Sequence, residues 1–243
     1  MKTLTSRHNP LYKELTALKK DKGVMLLEGK RLVADALARG ITPRMMAVTQ
    51  GFLEDHSLSL SPDVVMPDKL FTGICETETP QGILAFFDVP WAGMEEIMEQ
   101  GSVVILDGLQ DPGNVGTIAR TAEAFGFSGM IIIEGTASPF SSKAVRASMG
   151  SCLGIRIARC TAEDLRRLPH RILALTSQGR KRLSSKLFDP KVAICLGQEA
   201  FGISREILDI AHDTVAIPMR GRTESLNVAV AAGIVMACAA GVI

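Results

Sequence analysis

Five polar residues whose side chains could take part in binding or catalysis precede an apolar run near the carboxyl end of the sequence. The stretch is MRGRTESLNVAVAAGI, and the five are Arg220, Arg222, Glu224, Ser225 and Asn227. If a helix begins near Ser225, the amides of its first turn have no intrahelical acceptors and can bind a carboxylate or a phosphate. In the alternative, Ser225 only caps that helix, and the apolar run from Val228 is core or subunit interface.

A second loop of interest covers residues 106 to 127, LDGLQDPGNVGTIARTAEAFGF. Its glycines match neither G-x-G-x-x-G nor G-x-x-x-x-G-K-[ST], which disfavours a dinucleotide or nucleoside triphosphate site. Asn114 can cap the following helix, and Arg120 lies six residues further on, nearly two turns. Taken alone, this pair is better explained as a simple cap and an exposed helix residue.

A third loop covers residues 194 to 204, ICLGQEAFGIS. Gly197 comes just past a strand-like run, and Glu199 follows two residues later. Glycine lets a ligand approach the backbone because no side chain intervenes. An ordinary turn would explain the same two residues.

Alternating strand-like and helix-like segments must position these loops. Asn9 and Pro10 predict the cap and first residue of a short helix. In α/β sheets ligands bind at the carboxyl edge, so the loops after the strands are expected to hold the chemistry. Five later apolar runs predict strands covered on both faces, as in a parallel sheet: SVVILDG, GMIIIEG, RILALTS, KVAICLG and DTVAIPM.

The stretch DVPWAGMEEIMEQG interrupts this alternation with proline, glycine and acidic residues. At 243 residues the chain exceeds a typical single domain. We therefore expect an N-terminal domain at residues 1–90 and a second domain at residues 91–243. For the first of these domains, six alternating strand-like and helix-like segments also predict an α/β fold: GVMLLEG, KRLVADALARG, RMMAVTQ, DVVMP, DKLFTGICE and GILAFFDV.

Composition narrows the class of protein but not its partner. With 47% hydrophobic and 22% charged residues, the chain is typical of a globular protein with a sizeable core. A net charge of +1 neither demands nor excludes a nucleic-acid partner. Local basic clusters such as Lys30 with Arg31 can contact phosphates, although solvated helix faces and turns explain most clusters of this kind.

Cysteine usage and hydropathy predict a cytoplasmic location. The five cysteines show no C-x-x-C spacing, and several lie in apolar runs, which favours a reducing compartment. The first residues have no signal-peptide pattern, and the uncharged run from Val228 to Ile243 is shorter than the roughly 20 residues that span a bilayer. No membrane association is expected.

Taken together, the three loops resemble the three sequence motifs of the SpoU/TrmH family of the SPOUT superfamily, which are AdoMet-dependent RNA ribose 2′-O-methyltransferases. The resemblance covers residues 102 to 243. It extends to two further stretches that are similar to family sequences, SPFSSKAVRASMGS and LALTSQG. Upstream, LLEGKRLVADAL and ETETPQGILAFFDV are similar to the small RNA-binding domain that many members carry. The three motifs are DPGNVGTIARTAEAFG, LGQEAFGIS and IPMRGRTESLNVAVAAGI.

This resemblance implies a fold and partners that periodicity alone does not give. It implies a small N-terminal α/β RNA-binding domain followed by a SPOUT-type parallel α/β sheet with a C-terminal trefoil knot. S-adenosyl-L-methionine (AdoMet) is expected to bind in the knotted loops, with no metal, and the catalytic domain is expected to form a homodimer. With the extra N-terminal domain, ribosomal RNA is expected as the substrate rather than transfer RNA.

The resemblance also implies roles for individual residues. Arg120 is expected to act at the target ribose. Because a guanidinium has a pKa above 12, we favour an orienting and electrostatic role over that of a base. The expected supporting residues are Asn114, Glu199, Ser225 and Asn227, and the expected AdoMet-binding residues are Thr176, Ser177, Leu196, Gly197, Ile217, Met219 and Leu226.

Two further points concern charge in these loops. Glu199 is expected to hold Arg120, Asn114 or a basic loop residue in place. For Arg220 and Arg222, ion pairs with Glu224 are the alternative to RNA contacts. The expected RNA-binding residues are Lys30, Arg31, Arg146, Arg220 and Arg222.

The sequence departs from the family pattern within the second motif. Members usually have glycine after its glutamate, whereas this chain has Ala200 and Phe201, and Gln198 replaces the commoner asparagine or serine. A catalytically silent RNA-binding or assembly factor with the same fold is the alternative function, and the intact polar residues of the motifs argue against it. A nucleotide-dependent oxidoreductase lacks its glycine fingerprint.

Overall fold

Strands and helices alternate along the chain, which divides into two compact units. A computed structural model describes residues 1–55, 61–98, 101–188 and 191–243. One unit consists of Met1–Val89 with Phe140–Ser142. The other consists of Pro90–Pro139 with Lys143–Ile243.

The first unit is built on a mixed five-stranded sheet in the order β1-β4-β3-β5-β2. The strands are β1 (Lys2–Thr3), β2 (Val24–Glu28), β3 (Pro43–Thr49), β4 (Val64–Met66) and β5 (Ile83–Asp88). Strand β5 runs antiparallel to both of its neighbours, and the other pairs are parallel. The helices are α1 (Pro10–Leu18), α2 (Lys30–Ala38), α3 (Gln50–Asp55) and α4 (Asp68–Thr72).

Local sequence signals account for most of this unit. The Asn9 side chain accepts a hydrogen bond from the Leu11 amide at 3.0 Å, and Pro10 is the first residue of α1, as predicted. The predicted strands and helices of the six segments are present. Leu15 of α1, Phe71 of α4 and Phe86 of β5 are buried in one apolar core.

The second unit is built on a seven-stranded sheet in which every described pair is parallel. The strand order is β10-β12-β9-β11-β6-β7-β8. The strands are β6 (Val103–Asp107), β7 (Gly129–Ile133), β8 (Arg156–Cys160), β9 (Arg171–Leu175), β10 (Lys181–Arg182), β11 (Val192–Gly197) and β12 (Asp213–Ala216). The helices are α5 (Met94–Met98), α6 (Pro112–Ala124), α7 (Ser142–Ala147), α8 (Arg205–Ile210) and α9 (Val228–Ala239).

All five predicted strands of this unit form, so the expected α/β class with a parallel sheet is confirmed. Two strands were not predicted. Strand β8 mixes arginine with apolar residues and lies at the sheet edge, and β10 has only two residues, both exposed. Neither contains a continuous apolar run, so only pairing with their neighbours defines them.

Strand β11 occupies the centre of the sheet, between β6 and β9. All five residues of β6 are buried, and Gly197 at the end of β11 pairs with Asp107 at the end of β6. Because parallel strands end at one edge of a sheet, the loops after β6, β9, β11 and β12 meet at the same carboxyl edge.

Helices α6 and α9 pack against each other beside this edge. Each contains an interior glycine, but the two glycines have different surroundings. A Cβ at Gly116 of α6 would collide with the carbonyl group of Ala144, whereas at Gly233 of α9 the nearest atom, Cγ2 of Thr121, would be 3.9 Å away. Glycine is therefore required by packing only in α6.

Alanine at these two positions is expected to have opposite effects on stability. Gly116→Ala forces backbone apart and lowers the free energy of unfolding by about 1–3 kcal/mol, as overpacking does. Gly233→Ala has room and raises it by about 0.5–1 kcal/mol, because alanine has less backbone entropy to lose in a helix. Urea unfolding of both variants measures the difference. A stabilised Gly116→Ala would contradict the close contact between α6 and Ala144 of α7.

Candidate active site

A cavity of about 670 Å³ opens at the carboxyl edge of the seven-stranded sheet. Its walls come from the segments after β9, β11 and β12 and from the start of α9. The lining residues are Leu175, Thr176, Ser177, Leu196, Gly197, Gln198, Glu199, Ala200, Phe201, Gly202, Ile203, Ile217, Met219, Glu224, Ser225, Leu226, Asn227, Val228 and Ala231. Apolar walls with a few hydroxyl and charged groups are typical of small-molecule sites.

The structure brings together most of the residues singled out from the sequence. The seven expected cofactor-binding residues all line the cavity, together with Glu199, Ser225 and Asn227. Asn114 does not line it but bonds to two residues that do. Arg120 is exposed on α6 and is not part of the lining.

Gly197 is required by the cavity wall itself. A Cβ at this position would collide with the backbone of Gly202 and Ile203. The sequence suggested that this glycine admits a ligand, but the close approach is made by the chain's own next turn. The absence of a side chain therefore lets residues 198–203 fold back against the end of β11.

Three side chains form a chain of hydrogen bonds beside the cavity, which we call the amide relay: Asn227, Asn114 and Glu199. The Asn227 oxygen accepts from the amides of Ala229 and Val230 at 2.9 and 3.3 Å. Its Nδ2 donates to Oδ1 of Asn114 at 3.2 Å. Nδ2 of Asn114 in turn donates to Oε1 of Glu199 at 2.7 Å.

The relay has only one consistent direction. Capping α9 uses the Asn227 oxygen, so its NH₂ group must face Asn114. Asn114 must then present its oxygen to Asn227, which leaves its own NH₂ group to face an acceptor. The Glu199 carboxylate is such an acceptor, and of the three partners expected for Glu199 the structure selects Asn114.

The two helix starts differ from the sequence interpretation. Asp111 caps α6 through a 3.1 Å bond from the Gly113 amide, so the suggestion that Asn114 is the cap was wrong. Helix α9 begins at Val228 with Asn227 as its cap, so a cap at Ser225 was also wrong. Both shifts release a side chain: Asn114 is free for the relay, and Ser225 lines the cavity.

Charges around α6 are only partly neutralised. Lys143 donates to the Asp111 carboxylate at 2.5 Å and holds the pKa of that carboxyl below its ordinary value. Within the described ranges, the Arg120 side chain makes no hydrogen bond or ion pair. It lies about 9 Å along the helix axis from Asn114. Its guanidinium is therefore available to an external anion.

The residues expected to bind RNA are all exposed. In the first unit, Nε of Arg31 lies 3.9 Å from Oδ2 of Asp35, which is a weak surface ion pair. Between Arg220 or Arg222 and Glu224 no ion pair occurs in the described part of the chain, so the alternative to external contacts is not observed. Arg146 lies on α7, and Lys30 is the first residue of α2.

Sequence reasoning missed one buried acid and one cap. Asp107, only 6% exposed, accepts a 2.6 Å hydrogen bond from the Ser204 amide. This bond fixes the chain just after the turn formed by residues 198–203. No local pattern identifies Asp107. Asp111 followed by Pro112, however, is the same cap signal that identified Asn9 with Pro10.

The described residues contain neither a candidate metal site nor a membrane-spanning helix. No group of three or more His, Cys, Asp or Glu side chains there is arranged to hold a metal ion. No helix in the same ranges has both the length and the apolar character needed to cross a membrane.

Comparisons with known proteins identify the chain. The model of the SpoU rRNA Methylase family matches residues 101–237, and that of the MRM3-like substrate binding domain matches residues 9–85. The 23S rRNA (guanosine(2553)-2′-O)-methyltransferase RlmP of Bacillus subtilis is 30% identical over 97% of this chain and 98% of its own. The crystal structure of an AdoMet-bound rRNA methyltransferase from Sinorhizobium meliloti has a TM-score of 0.82 at 31% identity and covers 97% of this chain and 96% of its own.

These findings define the class of protein as an RNA methyltransferase that takes its methyl group from AdoMet. More particularly, the chain belongs to the SpoU rRNA methylase family, as its motifs suggested. Its first 90 residues include the substrate-binding domain of that match.

Two substitutions at Asn227 are expected to separate its two roles. Asn227→Asp keeps the cap of α9 but removes the donor to Asn114, so the capping part of the stability is retained while methyl transfer falls about fivefold, the value of one hydrogen bond. Asn227→Ala removes both, and the free energy of unfolding also falls by about 1 kcal/mol. Urea unfolding and methyl-transfer rates measure the two effects, and equal stability losses in both variants would contradict the capping role.

Proposed function

We propose that this enzyme methylates a ribose 2′-hydroxyl group of ribosomal RNA, with AdoMet bound in the 670 Å³ cavity. The observation that carries the proposal is the position of the amide relay. Asn227 and Glu199 belong to both the relay and the cavity lining, so a cofactor in the cavity would lie against the relay. The substrate statement is supported by relatives named as 23S rRNA 2′-O-methyltransferases.

The residues of the cavity suit AdoMet. Leu196, Ile217 and Leu226 offer apolar surface for the adenosyl group, while the hydroxyls of Thr176 and Ser177 can bond to its polar edges. Glu199 and Glu224 supply negative charge where a sulfonium cation would bind. We assign Gly197, Ile217 and Leu226 to backbone contacts, with Met219 completing the wall.

The chemistry requires activation of a weak nucleophile. AdoMet would supply a methyl group on a sulfonium sulfur, and its transfer would release the neutral thioether S-adenosylhomocysteine, so the step needs no metal. Arg120 binds the phosphate next to the target ribose and stabilises the negative charge that develops on the 2′ oxygen. A guanidinium cation is a poor proton acceptor, so the released proton passes to solvent. Asn114, Glu199, Ser225 and Asn227 orient the reacting groups.

The RNA contacts proposed outside the cavity involve exposed cations in both units. Arg220 and Arg222 lie in the segment between Ile217 and Ser225 that lines the cavity, and Arg146 lies on α7. Lys30 and Arg31 belong to residues 1–90, which we propose bind the RNA substrate. The match of residues 9–85 to a substrate binding domain supports that role, and residues 91–243 carry the catalytic function.

Three further properties are proposed from family membership together with the structure. A homodimer through the catalytic domain is supported by Val230, an apolar side chain of helix α9 that is 53% exposed. A cytoplasmic location is supported by five free cysteines and by the ribosomal substrate. A trefoil knot in the C-terminal segment is supported by the SpoU family match.

Mass spectrometry of RNA tests the substrate. Ribosomal and transfer RNA from cells with and without the protein are digested and compared, and one 2′-O-methylated nucleotide of ribosomal RNA is expected to disappear with the protein. Restoring the wild-type gene restores it. If the methyl group is missing from transfer RNA alone, transfer RNA is the substrate in place of ribosomal RNA. No change in either RNA would contradict the proposed activity.

Arg120→Ala tests the mechanism. The variant is expected to lose about 100- to 1000-fold in kcat, the cost of removing one group that stabilises an oxyanion. Affinity for AdoMet, measured by calorimetry, stays at the wild-type value because Arg120 is outside the cavity lining. Arg166→Ala, at an exposed arginine paired with Glu163, is the matched control with full activity. Equal rates for Arg120→Ala and wild type would refute the role of Arg120.

A further inference from the structure

Phe201 is an aromatic side chain placed in solvent at the rim of the cavity. It is 86% exposed, more than any other large hydrophobic residue in the described ranges. Its neighbours Glu199 and Ala200 in the same turn are also exposed. A ring in this position contributes little to folding, because almost none of its surface is removed from water.

The turn that carries Phe201 is fixed at both ends. Gln198 and Gly202 exchange backbone hydrogen bonds of 2.9 and 2.8 Å, which close the three residues between them into a tight turn. Gly202 has a φ of +73°, which glycine adopts without strain. Beyond it, the 2.6 Å bond from the Ser204 amide to Asp107 anchors the returning chain. The ring therefore projects from a rigid support.

The same turn contributes to the proposed catalytic cluster. Glu199, two residues before Phe201, accepts the hydrogen bond from Asn114. A nucleotide that presents its ribose to this cluster would bring a base close to the ring. Residues 198–202 contain no cation and one carboxylate, so the turn does not attract a phosphate. A neutral, flat partner suits it better than a charged one.

We propose that Phe201 is a stacking site for an unpaired base of the RNA, at or beside the nucleotide that is methylated. This proposal rests on the proposed function. Unpaired RNA bases are commonly bound by stacking on aromatic side chains. Stacking tolerates any base because each has a π-face, so Phe201 positions the nucleotide without specifying which base it carries.

Four substitutions separate stacking from apolar contact. Phe201→Ala and Phe201→Leu both remove the ring, although leucine keeps much of the apolar surface, while Phe201→Tyr and Phe201→Trp keep a ring. The substrate is ribosomal RNA from cells that lack the protein, with labelled AdoMet as donor. KM for this RNA is expected to rise about 5- to 150-fold with alanine and leucine, and to stay near the wild-type value with tyrosine and tryptophan.

Other measurements distinguish stacking from different roles of the ring. Leu208→Ala removes an apolar side chain that is 38% exposed on α8, and it is expected to leave KM unchanged. Calorimetry without RNA is expected to give nearly the same AdoMet affinity for all variants, because the ring, although it lines the cavity, is 86% exposed. A weaker affinity for AdoMet with unchanged KM for RNA would mean that the ring covers the cofactor, and altered sedimentation would mean that it joins two copies. Either result overturns the proposal, as does a wild-type KM for Phe201→Leu.

Failure of the proposed function has a different outcome. In that case the wild-type protein transfers no methyl group to this RNA, whatever residue occupies position 201. Filter binding of the same RNA then compares the wild type with the leucine and tyrosine variants. Weaker binding by the leucine variant alone supports the stacking site, and equal binding by all three overturns it.

Discussion

The direction of one hydrogen-bond chain constrains the rest of the active site. Because the Asn227 oxygen caps α9, its NH₂ group faces Asn114, which must then donate to Glu199. Three elements far apart in sequence, α6, the turn after β11 and the start of α9, are thereby held in one arrangement. A helix cap is ordinarily a local device. Here it orients two of the polar side chains that line the cavity, Asn227 and Glu199.

Close backbone packing complements this polar chain. Gly197 allows residues 202 and 203 to lie directly on the end of β11, and Asp107 on the neighbouring strand holds the amide of Ser204. The part of the cavity wall after β11 is thus formed by backbone that packing fixes. A site of this kind needs little reorganisation when a ligand binds, which lowers the entropic cost of binding.

Sequence patterns predicted the elements better than their contacts. The five buried strands and the cap at Asn9 follow from apolar runs and an Asn-Pro pair, whereas β10 exists only through pairing with β12. The residues of the cavity and relay were named from the family resemblance, and the structure brings most of them together. Their bonding was not predictable, because Asn114 is separated from Glu199 by 85 positions and from Asn227 by 113. Tertiary contact decides which partner each side chain finds.

The central position of β11 has a consequence for how the sheet assembles. Strands β6, β7 and β8 can pair in chain order, but β9 cannot reach its place until β11, later in the chain, separates it from β6. As the chain leaves the ribosome, the open edge of β6 must wait through about ninety residues of synthesis. Such non-local pairing slows folding and leaves a strand edge exposed to other chains. Prolonged dependence on chaperones during translation is the expected cost of building the cavity at the middle of the sheet.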